Sequence, residues 1–419
     1  MDFRDLNPFN IFLSTLSANF LPMSSKETKL PVFYKVYSII VWSIELTYFV
    51  ACVVGILTVS REKALKDGTV NLVIAIEVLV LMTYMHNRKN LLRGLIGKLN
   101  HLIEGNKILR NMIVGALEPM EKPLKIYTVA SVGSLALWIS LPLIEAFRKN
   151  EFRYSDYRVP SIVSKEPFPL SVFVGGIIFQ TAGGTLTLIR KISLDIYTMH
   201  IILLTTAQYK YLRMKFATIF EQKPDTLNGS YNDITGQNVS FTNKRMIQEM
   251  RLLTRHYETV VEIAVTLKKL LFLNVGVHYI NNVFRFCFLS FITNMFSEKC
   301  LVILYTIGAL IQFYILCYCI QELLDASNAV ADDVMYEKWY LHDVTLQRAV
   351  LMIISANKLE CKLSNSRHID LTLSSFMSVS VSYCLNNSNY VYLIIMPPVS
   401  SWYKLEVNRI NCQLPKRFI

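Results

Sequence analysis

Six apolar runs, each close to the thickness of a bilayer, constrain this chain more than any other feature. A membrane-crossing helix needs roughly 20 mostly apolar residues. Val36–Val59, Ile126–Phe147, Ser171–Arg190, Leu271–Thr293 and Leu301–Ile320 reach that length with few charges, and the shorter Thr69–Met85 suffices with tilt. A seventh run, Leu371–Ile395, is interrupted by Asn386, Asn387, Ser388 and Asn389. The fourth stays apolar beyond Asp195 to Ala207, so its helix is expected to project from the membrane.

Composition agrees. Of 419 residues, 53% are hydrophobic and only 18% charged, against about a quarter charged in soluble domains. An ordinary soluble enzyme and a disordered chain are both excluded. The net charge of +12 lies between apolar runs and is not gathered on one soluble surface, so no nucleic-acid partner is expected. With the N-terminus inside, segments 1–35, 86–125, 208–270 and 321–370 hold 27 Lys and Arg, and the opposite loops hold 9. Basic residues accumulate in cytoplasmic loops. The expected fold class is an all-α integral membrane protein of seven transmembrane helices with a cytoplasmic N-terminus. It forms one domain over 1–419, with a cytoplasmic N-terminal segment 1–35, a cytoplasmic loop 208–270 and an atypical C-terminal tail 378–419.

Asp2 and Asp5 stand where a basic signal-peptide region would be, so no cleavable signal is expected. Phe9, Ile11, Phe12, Leu16 and Phe20 suggest the apolar face of an interfacial helix. Within 208–270, Pro224–Asn243 has loop composition, whereas Met246, Met250, Leu253, Tyr257 and Val261 recur at helical spacing. Either the membrane helices extend and pack together there, or an isolated amphipathic helix lies on the membrane.

No motif for nucleophilic, phosphate-binding or zinc chemistry occurs, and the eight Cys and seven His are dispersed. Neither catalysis nor a cofactor or metal site is expected. Gly175-Gly176 and Gly183-Gly184 suit close helix packing. The sharper signal is charge inside the spans: Glu45, Glu77, Arg190, Lys191, Asp195 and Arg285. Each costs about 2.5–3.5 kcal/mol at the membrane centre unless it finds a partner or a wet cavity. Glu77 is either a structural partner of Arg285 or a polar group lining a ligand cavity. Trp138, Phe173, Phe179, Tyr305 and Phe313 fall in the outer or middle membrane, either as core or as walls of a pocket for a small apolar molecule.

Residues 301–376 carry a succession of motifs. Gln312-Phe313-Tyr314-Ile315-Leu316-Cys317-Tyr318 leads to Glu322-Leu323 and Ser327-Asn328-Ala329-Val330-Ala331. Next come Val334-Met335-Tyr336-Glu337-Lys338-Trp339-Tyr340, then Arg348 through Ile354, then Leu373-Ser374-Ser375-Phe376. On these residues, and on the long fourth helix with Gln180, Asp195 and Ala207-Gln208-Tyr209, the chain resembles the insect odorant receptors.

The resemblance implies a ligand-gated cation channel in the cell membrane of olfactory neuron dendrites. In it a variable odorant-binding subunit assembles with the odorant co-receptor as a tetramer. The last helix of each subunit lines the pore, and cytoplasmic extensions of the fourth to seventh helices form an anchor. A small odorant sits in the outer half of the bundle, among the second, third, fourth and sixth helices. From that geometry the expected ligand-binding residues are Ile74, Glu77, Trp138, Phe173, Phe179 and Tyr305. A gustatory receptor of the same inverted plan is the nearest alternative. A G-protein-coupled receptor is a more distant one, since Asp156-Tyr157-Arg158 lies in an outer loop.

The pattern departs from the family after Met377. Val379-Ser380 is what the intron start GTAAGT encodes in frame, and the hypothesis is that the tail translates an unspliced intron.

Overall fold

The computed structural model describes residues 3–19, 21–24, 31–147, 151–159, 165–221, 236–295, 299–337 and 339–360. The helices are α1 (Pro8–Leu16), α2 (Val32–Thr58), a single turn α3 (Arg61–Lys63) that runs on into a π turn, α4 (Thr69–Asn87) and α5 (Lys89–Ile103). They continue as α6 (Lys107–Ser140), α7 (Leu170–Glu221), α8 (Gly236–Met295), α9 (Lys299–Tyr336) and α10 (Val344–Glu360). Six apolar runs lie on α2, α4, α6, α7, α8 and α9, the third ending in a 3-10 segment, Leu141–Phe147. The seventh run, Leu371–Ile395, and the tail 378–419 lie outside the described residues. Among the described residues, Val32–Thr58, Lys107–Ile144, Leu170–Phe220 and Tyr305–Tyr336 are long and apolar enough to cross a membrane, and Asn71–Asn87 is a shorter apolar helix.

α7 is the hub, packing against α1, α2, α4, α6, α8 and α9. Its 52 residues correspond to about 78 Å at 1.5 Å per residue, far beyond the roughly 30 Å of bilayer hydrocarbon. The excess is packed against other helices. Tyr209, Leu212 and Phe216 of α7 share one core with Met250, Leu253 and Tyr257 of α8, Val330 and Val334 of α9, and Val350 of α10. Met246 and Val261 flank that core half-buried. The periodic residues of 246–261 are therefore the inward face of a packed helix, which replaces the isolated surface helix. α8 also starts at Gly236, earlier than the loop composition up to Asn243 suggests.

The N-terminal helix adds contacts that the sequence reading did not include. Phe12 and Leu16 face outward, at 61% and 37% exposure, as an interfacial face would, while the opposite face buries Leu13 together with polar residues. Asn10, Ser14 and Ser17 turn inward, and the Ser14 hydroxyl lies 2.8 Å from that of Ser193 on α7. Farther along α7, the Tyr197 hydroxyl donates to the Pro22 carbonyl at 2.8 Å. The segment is an inserted part of the bundle.

Candidate functional site

Two side chains one helical turn apart on α7, Lys191 and Asp195, meet a polar stripe on α8 formed by His278, Asn281 and Arg285. Spacings of three and four place all three stripe residues on one helix face. Glu77 of α4 closes the cluster. One of its carboxylate oxygens accepts from Lys191 Nζ at 3.0 Å, and the other from Arg285 Nη2 at 2.6 Å and from the Asn281 amide. Asp195 Oδ2 accepts from Lys191 Nζ at 3.2 Å, Tyr127 Oη at 3.1 Å and Gln312 Nε2 at 2.8 Å. His278 stands between the two acids, Nδ1 3.0 Å from Glu77 and Nε2 3.3 Å from Asp195. Every one of these groups is buried. Charges buried at membrane depth persist only when paired and hydrogen-bonded.

Arg190 faces the other way. It pairs with Glu45 of α2, and its Nε and Nη2 donate to the Ser17 carbonyl at 3.2 and 2.8 Å. The Trp42 ring lies 3.8 Å from its guanidinium carbon. Consecutive residues of α7 thus serve two separate ion pairs on different faces.

At the outer end, Phe173 stacks on Phe152 with centroids 4.1 Å apart and on Tyr157 at 5.1 Å. The Tyr157 hydroxyl donates to the Val172 and Phe173 carbonyls and occupies the space over Gly176. Burial pushes this phenol, which lies in the outer loop, up to about 12. Gly183 and Gly184 admit the Tyr48 ring in the same manner: a Cβ at Gly183 would lie 2.6 Å from Tyr48 Cβ.

The six expected binding residues fall into separate groups. Glu77 belongs to the ionic cluster, and Ile74, nearly a turn before it, is in the main core. Trp138 and Phe179 pack half-buried around Tyr48, Cys52, Ile139 and Val159. Phe173 belongs to the outer aromatic stack. Tyr305 is half-buried against the main core, with its hydroxyl buried and without a hydrogen-bond partner. Two cavities lie among the described residues. One of about 480 Å³ lies between α2 and α4; a more open groove of about 710 Å³ follows α7 from Ile177 to Ile189. Neither is lined by any of the six.

Sequence reading left the Glu77–Arg285 pairing as one of two alternatives, and the structure forms it; Lys191 as a shared partner was missed, along with His278, Asn281, Gln312 and Tyr127. The signal lay in α8, where polar residues recur at helical spacing inside an apolar run.

Long apolar helices wrapped around a buried ionic cluster are the plan of an integral membrane protein. The chain belongs to the odorant receptor family: residues 62–382 match the family model described as 7tm Odorant receptor. Membership brings seven membrane helices and a cytoplasmic N-terminus, and makes this a receptor and not an enzyme. The chain is similar in fold to the insect olfactory receptor OR5 from Machilis hrabei, with TM-score 0.68 and 12% identity over 94% of this chain and 98% of that one. The same receptor in complex with eugenol gives TM-score 0.63 and 13% identity over 94% of this chain and 100% of that one. A search of curated protein sequences returned no match.

Proposed function

We propose that the chain is an odorant-binding subunit of a ligand-gated cation channel, tuning a tetramer completed by the odorant co-receptor in olfactory neuron dendrites. The relative solved with eugenol supports a small, largely apolar ligand with few polar handles. Family geometry puts the ligand in the outer half of the bundle and offers Ile74, Trp138, Phe173, Phe179 and Tyr305 as its contacts, although they pack in separate clusters and line neither cavity. Glu77, held by Lys191 and Arg285, acts as a fixed floor. The observation that carries this reading is the odorant receptor family match over residues 62–382; within the proposed contacts, the Tyr305 hydroxyl is a buried polar group without a hydrogen-bond partner. Apolar pockets orient guests through a small number of such polar groups.

Co-expression with the co-receptor in a non-neuronal cell tests the reading. Odorant-evoked cation current that survives G-protein blockade is expected. Current that needs G proteins, or an N-terminus that labels from outside intact cells, overturns it.

A further inference from the structure

The cavity between α2 and α4 stands apart from the residues assigned to the odorant. Its volume of about 480 Å³ falls within the roughly 300–1,000 Å³ of small-molecule sites. Ile39, Trp42, Leu46, Phe49, Val78 and Leu79 form apolar walls. Ile39 and Leu46 are 66% and 58% exposed on the outside of the bundle, so the cavity opens sideways, where lipid lies.

One charged side chain lines it: Glu45, 8% exposed. Its Oε2 pairs with Arg190, while Oε1 is buried and has no hydrogen-bond partner. Of the three hydroxyls lining the cavity, Ser43 donates to the Ile39 carbonyl at 2.8 Å and Thr187 to the Gly183 carbonyl at 2.9 Å, and Ser38 lies two helical turns before Glu45, about 10 Å along the axis. A buried acceptor lacking a donor is costly. Arg190 already balances the charge, so the group that Glu45 lacks is a neutral donor and not a second cation.

We propose that this cavity is a second binding site, for a neutral apolar molecule whose single hydroxyl donates to Glu45. The molecule is either a membrane amphiphile or a volatile alcohol dissolved in the bilayer. The assignment does not depend on channel activity or on the odorant site.

The test uses membranes from cells expressing the full chain, photolabelled with octadecan-1-ol that carries a diazirine and an alkyne on its tail. Label is expected on peptides containing residues 38–49 and 75–79. Octadecan-1-ol should compete about tenfold better than octadecane, the scale of a hydrogen bond to a charged group. Glu45→Met should erase that preference. Ala75→Phe, which fills the cavity wall without touching the ion pair, should remove the label even if the first variant fails to fold. Competition by dioleoylglycerol identifies a membrane source, and competition by octan-1-ol a volatile one. Equal competition by octadecane, label confined to other peptides, or unchanged label in Ala75→Phe overturns the proposal.

Discussion

Glu77 and Arg285, 208 positions apart in sequence, form a buried ion pair at 2.6 Å. Because Glu77 also holds Lys191, it neutralises cations from two helices at once. Removing one member of a buried pair typically costs about 3–5 kcal/mol, since the survivor is left uncompensated. Glu77→Ala should therefore destabilise the receptor more than Arg285→Met, which leaves the Lys191 contact in place. Melting of the detergent-solubilised protein, followed by size-exclusion fluorescence, ranks the two. Equal losses would show that Lys191 draws its compensation from Asp195 alone.

The glycines of α7 are not equivalent. A methyl at Gly183 collides with the base of the Tyr48 side chain, whereas one at Gly175 meets nothing within 4 Å. Gly183→Ala should cost about 1–3 kcal/mol through overpacking, and Gly175→Ala should be close to neutral. Thermal stability of the two variants is the measurement.

If the odorant reading holds, Tyr305→Phe removes a hydroxyl that bonds to nothing within the protein. Stability should not fall. Potency of hydroxyl-bearing odorants should drop by about 2–12-fold, matching 0.5–1.5 kcal/mol for a neutral hydrogen bond, while hydrocarbon odorants keep theirs. Dose–response curves for a matched alcohol and alkane decide it.

His256 lies on the extended part of α8, where its Nε2 is 3.0 Å from Gln208 Oε1. Burial lowers its pKa from 6.5 to about 4, so the fold favours the neutral ring. The unfolded chain takes up the proton first. This contribution to stability is complete above pH 6.5 and is lost as pH falls from there toward 4. Melts at pH 7 and pH 5 should differ more for the natural chain than for His256→Gln.

The family match ends at residue 382, five positions after Met377, where the sequence pattern changes. If the tail is translated intron, transcripts from the tissue of origin will include a spliced form that diverges near this point. Reads that uniformly encode the tail as printed would remove the hypothesis.

The membrane helices could be read from the sequence because bilayer burial demands unbroken apolar length, a local property. The charges inside them were also visible as anomalies. Their partners were not: Asn281 and Glu77 are 204 residues apart, and only the packing of α4 against α8 joins them. The docking of α1 on α7 was hidden for a different reason. In water the apolar face of a helix turns inward, but next to a bilayer the polar face can do so when a polar surface receives it. Arg190 and Ser193 provide that surface, so Asn10, Ser14 and Ser17 are buried while Phe12 faces out. The six site residues came from family geometry, which gives depth and helix but not side-chain direction; hence their spread over separate clusters.

The docking of α1 also has a timetable. Ser17 is held by Arg190, 173 positions later in the chain. At about 5–20 residues per second, some 9–35 s of synthesis separate the two. Through that interval the N-terminal segment waits at the ribosome's side of the membrane with its polar groups in water. The first part of the chain to be made therefore cannot settle until α7 follows it, and a chain truncated before α7 would leave its own beginning without a seat.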